Sequence, residues 1–266
     1  MSSFAAQWLA LREPLDLAAR NAEVETAFLE SLPARPLRIL DLASGAGSTV
    51  AALSLRLPQK TSWLLTDHDP LLLEAAAGRF RDWGEGEVST RRVDLAANLE
   101  TLLLADVDAV TTSAFLDLTS EEFLVRLADF VAHSGKPFLA SLTYDGRASF
   151  DPLNPFDEVL RKALNAHQQT DKGFGPALGP EAAERAIALF EERGCRVVHG
   201  RSDWEIASNS ADFLLEFLSG WRRVGRETGQ DEAALEGWWL DRKRKISDGM
   251  LNVLIGHVDF AVLPAD

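Results

Sequence analysis

Asp41, Ala43, Gly45 and Gly47, with a second acid, Asp67, about twenty residues further on, have the types and spacing to hold a nucleoside. Leu37–Leu42 is an apolar run carrying a carboxylate near its end. Small residues follow through Gly47, and Ser48-Thr49-Val50-Ala51-Ala52-Leu53 reads as the start of a helix. A backbone turning on small residues lets its N–H groups approach a ligand closely, and the helix N-terminus behind it adds favourable dipoles. Asp67 closes the next apolar run, Trp63-Leu64-Leu65-Thr66. A carboxylate there has acceptor oxygens for both hydroxyls of a ribose. A nucleoside-containing cofactor at one edge of a parallel sheet is the expected occupant.

The glycine spacing separates two cofactor classes. Gly-x-Gly-x-x-Gly, the dinucleotide fingerprint, has its third glycine where this chain has Val50. The pattern instead resembles the first motif of the class I S-adenosylmethionine-dependent methyltransferases, in which an acidic residue precedes a small-x-Gly-x-Gly loop. Ala43 departs from the glycine usual there, and an ordinary strand-to-helix turn is the plainer reading of the same residues. The resemblance covers Leu37 to about Thr143. It implies an α/β fold with a seven-stranded, mostly parallel Rossmann-like sheet whose last strand is antiparallel, an N-terminal helical segment, and helical insertions forming a cap. It implies S-adenosylmethionine as cofactor. Asp41 would support the loop or meet the methionine ammonium through water, and Ala43, Ser44, Gly45 and Gly47 would line the methionine. Asp67 would take the ribose, His68 would stack on adenine, Asp94 would receive the adenine amino group with the Leu95 backbone nearby, and Ser113 with Ala114 would face the sulfonium.

The elements that must position these residues alternate as in a sheet covered on both faces. Strands are expected at Leu37–Leu42, Ser62–Thr66, Thr90–Asp94, Ala109–Ser113 and Pro137–Thr143, with helices at Ser48–Leu55, Pro70–Trp83 and Ser120–His133. Tyr144-Asp145-Gly146 reads as a turn, and Ala148 to Gly179 as irregular chain around one short helix. A helix at Pro180–Arg193, a strand at Cys195–His199 extending as far as Ile206, two helices with aromatic stripes (Phe213, Phe217, Trp221; Trp238, Trp239) and a strand at Leu251–Leu263 complete the order. We expect one domain over 1–266: a helical cap at 1–36, a cofactor-binding core at 37–145, a lid at 146–180, and the last helices and strands at 181–266.

Residues for the acceptor side carry less pattern. In methyltransferases of this type N-terminal helices commonly cross the cofactor mouth, and this segment holds Phe4, Trp8 and Leu9, interrupted by Pro14. Arg20 is expected to bind the cofactor carboxylate and Arg12 the substrate, since a guanidinium grips a carboxylate bidentately. Both arginines can equally sit on a solvated face beside Glu13, Asp16 or Glu23. A general base is required only for a protonated acceptor; His167 and Tyr144 are the candidates, with Asp117 and Asp145 behind them. In the lid, Lys172 and Phe174 are expected to touch substrate, and successive turns of a structural loop are the competing reading.

Composition narrows the rest. A formal charge of −14 over 266 residues opposes phosphate backbones, so no nucleic-acid partner is expected. The dense basic run Arg242–Lys245 reads as a helix C-terminus. Cys195 is the single cysteine, which rules out an internal disulfide and a thiolate zinc site; no metal is expected. Lacking a bilayer-length apolar run and a signal-peptide start, the chain is expected to be cytoplasmic with no membrane partner. The expected function is methyl transfer from S-adenosylmethionine to a small polar molecule, with oxygen, nitrogen and carbon acceptors all open. A non-catalytic S-adenosylmethionine or nucleoside binder on the same fold is the alternative. A nicotinamide oxidoreductase is weaker, because Ala148 stands where short-chain dehydrogenases place lysine after the tyrosine.

Overall fold

In the computed structural model residues 2–57, 59–81 and 86–264 are described, with side chains from residue 7 onward. Two helices precede the sheet. α1 (Ser2–Ala19) runs through Pro14 without a break, and α2 (Ala22–Glu30) starts where the Asn21 side chain accepts the N–H groups of Glu23 and Val24. That cap places an elbow at Arg20–Asn21.

Aliphatic runs then alternate with helices. β1 (Leu37–Leu42) leads to α3 (Ser48–Leu53), and β2 (Thr61–Asp67) to α4 (Pro70–Arg79). β3 (Gly86–Arg92) leads to the short α5 (Leu95–Asn98), and β4 (Ala109–Ser113) to α6 (Glu121–Ser134). Local chemistry fixes the helix ends. Asp69 accepts the Leu71 N–H at 2.9 Å with Pro70 in the first turn. Ser120 accepts the Phe123 N–H, and Gly135 ends α6 in the left-handed region (φ +62°). β5 (Phe138–Asp151) is followed by α7 (Phe156–Gln168), α8 (Ala182–Glu192), β6 (Arg196–Arg201), β7 (Trp204–Ile206), α9 (Ala211–Glu227), α10 (Glu232–Ser247) and β8 (Asn252–Leu263).

The sheet order is β3-β2-β1-β4-β5-β8-β6, with β7 also on β8. β1 to β5 are parallel, and β8 is antiparallel to β5, β6 and β7. Two buried clusters cover the faces of the parallel part. A third, rich in Trp and Phe, lies between the far ends of β5, β7 and β8 and helices α7, α9 and α10. No described helix is long and apolar enough to cross a membrane.

Several sequence expectations change. Among the described residues the sheet has eight strands, because the run after Cys195 breaks at Ser202–Asp203 into β6 and β7. There the Ser202 N–H bonds the His257 carbonyl, and Asp203 accepts the His257 N–H. Tyr144-Asp145-Gly146 is no turn: β5 continues to Asp151 with two register shifts, accommodated by Leu142 (φ +56°) and Gly146 (φ +83°). Asp259 secures the first by accepting the Leu142 N–H at 2.6 Å. The third strand lies earlier than Thr90–Asp94, since Asp94 caps α5 by accepting the Ala96 N–H. Pro180 lies in a 3₁₀ turn ahead of α8. Trp83, expected to end the second helix, lies outside the described residues, as does the Phe4 side chain.

Candidate functional site

β1, β2 and β4 finish side by side, and the chain reverses at each end. After β1 it does so on three left-handed residues within five positions, Ala43 (φ +50°), Gly45 (φ +54°) and Gly47 (φ +82°). At Gly47 space matters as much as φ: a Cβ would sit 2.6 Å from the Phe80 ring. Ala43 holds its left-handed conformation without glycine, at a cost of about 1–2 kcal/mol. Asp67 ties this turn to the next one. Its Oδ2 accepts the Gly45 N–H and its Oδ1 the Asp69 N–H, both at 2.9 Å. A carboxylate has about four acceptor positions, so capacity for ligand hydroxyls is left.

Beneath the turn Asp41 is fully buried. Its Oδ1 accepts from Thr111 Oγ1 at 2.7 Å, while among the described residues Oδ2 has no hydrogen-bond donor. Burial pushes its pKa up to about 7, against the opposing pull of the Thr111 hydrogen bond and the Arg20 charge.

The strand ends open onto a cavity of about 980 Å³. Asp67, His68, Arg92, Asp94 and Leu95 line it at the ends of β2 and β3, and Ala43, Ser44 and Gly45 line it after β1. Across β1, Ser113, Ala114, Phe115 and Leu118 line it after β4, with Lys172 and Phe174 from the segment after α7. Among the described residues the hydroxyls of Ser44 and Ser113, two residues of this wall, are buried without a partner. Leu9, Arg12, Glu13 and Asp16 contribute from α1. That helix spans the opening, fastened to α4 by a two-point Arg79–Glu13 ion pair at 2.5 and 2.8 Å. Trp8 fastens it as well, stacked on Phe213 of α9 at 5.3 Å.

The expected residues divide into two groups. Ala43, Ser44, Gly45, Asp67, His68, Asp94, Leu95 and Ser113 come together on the wall, as do Arg12, Lys172 and Phe174. Asp41, Gly47, Arg20, Tyr144 and His167 do not line it. Asp41 and Gly47 lie behind the turn and shape it. Arg20 is buried near the elbow: Nη1 donates to Ser141 Oγ at 3.1 Å, and Nε and Nη2 have no protein partner. Tyr144 belongs to the aromatic cluster, its hydroxyl donates to Asn165 Oδ1 at 2.7 Å, and burial raises its pKa, which removes it as a base. His167 sits in the last turn of α7 and turns toward α9, with Nε2 3.2 Å from Glu227. A helical rather than loop backbone there directs it away from the cavity.

Sequence reasoning passed over Asp16 as a wall residue. Its Oδ1 accepts from Trp204 Nε1 at 3.1 Å and its Oδ2 from Arg12 Nε at 3.0 Å; burial raises its pKa while Arg12 and Arg20 oppose. The i, i+4 spacing to Arg12 was the available signal, but it is equally the mark of a solvated pair. Phe115 and Leu118 carried no signal beyond being apolar.

No protein-family model matches the sequence, and no curated protein matches it either. Solved structures do. The YcgJ protein from Bacillus subtilis superposes with a TM-score of 0.51 at 15% identity, over 92% of this chain and 100% of that one. A candidate methyltransferase from Bacillus halodurans C-125 gives 0.51 at 13% identity, again over 92% and 100%. An O-methyltransferase family protein from Burkholderia thailandensis gives 0.50 at 16% identity, over 96% and 58%. The chain has the class I methyltransferase fold. Within it, β8 is the antiparallel strand beside β5, and the cavity lies outside the carboxyl ends of the parallel strands, where open α/β sheets bind ligands.

Proposed function

We propose that this chain binds S-adenosylmethionine in the cavity and transfers its methyl group to a small polar molecule. The observation that carries the reading is the wall itself. Asp67 and Asp94 stand at the ends of β2 and β3, and two unpartnered hydroxyls, Ser44 and Ser113, flank the left-handed turn after β1. Those donors and acceptors suit a nucleoside at one end and an amino-acid group beside the turn. When bound, the sulfonium supplies a methyl group already activated for in-line displacement.

The chain's own residues then bind, orient and exclude water. Asp67 accepts the ribose hydroxyls, and Asp94 with the Leu95 backbone receives the adenine edge. The N–H groups and hydroxyl of the turn hold the amino-acid end. α1 closes the mouth through Trp8 and Glu13, shielding the reacting atoms. Asp16, a wall carboxyl group whose burial raises its proton affinity, takes the proton of an acceptor hydroxyl or ammonium. The net charge of −14 supports a small acceptor over a nucleic acid.

Calorimetric titration with S-adenosylhomocysteine and with NAD tests the cofactor. One S-adenosylhomocysteine site per chain and no NAD binding is the expected result; NAD binding without S-adenosylhomocysteine binding overturns it.

A further inference from the structure

The cations on the cavity wall are not equivalent. Arg12 is paired with Asp16, and Arg79 with Glu13. Arg92 lies at the nucleoside end, where its Nε donates to the His68 carbonyl. Lys172, like Arg92, has no carboxylate partner among the described residues, but it lies on the β4 flank of the cavity, away from the Asp67 end. Its Nζ donates to the His167 carbonyl at 3.1 Å and to Thr170 Oγ1 at 2.9 Å, both uncharged acceptors. Among the described residues no carboxylate lies within ion-pair distance of it. An ammonium has three donors, so one N–H is left without a protein acceptor, and the full charge is uncompensated.

The neighbouring acid has a different task. Asp171 Oδ1 accepts the N–H groups of Gly173 and Gly175 at 2.7 and 3.1 Å, building the loop and not neutralising Lys172. Gly173 (φ +104°) and Gly175 (φ +85°) turn the chain on either side of Phe174. Phe174 thereby packs edge-on against Phe123 at 4.8 Å and Phe115 at 5.3 Å. One short loop thus places a fixed positive charge next to an aromatic wall, on the β4 flank of β1, opposite the Asp67 flank.

We infer that the methyl acceptor is a small organic anion with an apolar body, its charge held by Lys172 and its hydrocarbon lying against Phe115, Leu118 and Phe174. This rests on the methyl-transfer reading above. An ammonium held by its own loop binds a carboxylate, sulfonate or phosphate oxygen as a point charge with little further ordering. The aromatic surface beside it favours an acceptor with more carbon than the charged group alone.

The test uses the whole chain saturated with S-adenosylhomocysteine, so failure of that first step is failure of the cofactor reading and is seen separately. Benzoate, benzamide and acetate are then titrated calorimetrically. Benzoate is expected to bind at least tenfold more tightly than benzamide, which lacks the charge, and than acetate, which lacks the apolar body. Lys172→Met should abolish the preference over benzamide and leave S-adenosylhomocysteine affinity within about twofold. Equal binding of benzoate and benzamide, no saturable binding of either, or a preference that survives Lys172→Met would overturn the inference. So would a large loss of S-adenosylhomocysteine affinity in that variant, which would move Lys172 to the cofactor.

Discussion

The parallel half of the molecule and its antiparallel extension put their most prominent buried polar groups to different uses. At the ends of β1 and β4 the hydroxyls of Ser44 and Ser113 are buried without partners beside a cavity. In the extension the large polar side chains are engaged with each other. Asp157 accepts from Trp238 Nε1 at 2.8 Å and pairs with the fully buried Arg242, which also reaches the Pro152 carbonyl at 2.7 Å. Tyr144 is similarly occupied by Asn165. The two hydroxyls stand beside a cavity, whereas the Asp157–Trp238–Arg242 group ties the helical cap together, although Arg242 Nε itself has no partner among the described residues. Among the described residues, two of the three left-handed ones that are not glycine, Ala43 and Ala114, line the cavity wall; the third, Leu142, sits at the first register shift of β5.

Variants in the two halves should therefore separate stability from binding. The largest effect is expected for Arg242→Met, which leaves Asp157 buried without its cation. Breaking such a pair costs about 3–5 kcal/mol, read as a lower urea midpoint, while the folded fraction keeps its S-adenosylhomocysteine affinity. A matching loss of affinity would mean the halves are not separable. Asp67→Ala should lower affinity and, because the Gly45 and Asp69 N–H groups lose their acceptor, some stability as well. It removes hydrogen bonds to a charged acceptor, worth about 1.5–3 kcal/mol each before solvent compensation, so affinity should fall by roughly 2–4 kcal/mol in the same titration. Unchanged affinity would place the ribose elsewhere.

One buried group in each half should answer pH with opposite signs. Asp41 is raised from 3.8 to about 7 by burial, so the folded state holds its proton more firmly, and this group lowers stability as pH rises between those values. His257, behind Trp204 in the extension, is depressed from 6.5 to about 4, first by burial and then by the Arg12 charge. Its contribution is present above about 6.5 and lost as pH falls toward 4. Each slope is at most about 1.4 kcal/mol per pH unit. Urea midpoints across this range should show a shallower falling limb in Asp41→Asn, since burial raises Asp117 and Asp16 in the same sense, and a shallower rising limb in His257→Gln; identical profiles in both variants would refute the assignment. The smallest effect belongs to His167→Ala, which removes a half-exposed contact with Glu227. It should change stability by under about 1 kcal/mol and leave cofactor affinity alone.

What the sequence made legible follows the same boundary. Leu37–Leu42 and Ala109–Ser113 are strands as read, since central parallel strands are continuous apolar runs bounded by turn residues. β3 was displaced because Gly86–Arg92 is a mostly exposed edge strand with no apolar period. Beyond Thr143 the reading failed for a different reason. Tyr144-Asp145-Gly146 has turn chemistry, yet its partner, β8, lies about a hundred residues later, and that pairing outweighs local preference. The wall residues carried by β1, β2 and β4 were legible because motif and strand end coincide. Asp16 and the orientation of His167 were not, because each depends on how a whole helix is rotated against α9 or β7.

β8 also sets the timetable of folding. It pairs with β5 along most of its length, with β6 through its second half and with β7 through its first. No shorter piece ending before it can seal either half: β5 would expose one edge to solvent, and the aromatic cluster would lack Val253 and Ile255. A chain extending only to residue 251 would hold the parallel strands with the outer edge of β5 unpaired. Closure of the sheet is thus a late, long-range event, and a nascent chain halted before it is the form most exposed to edge-to-edge association.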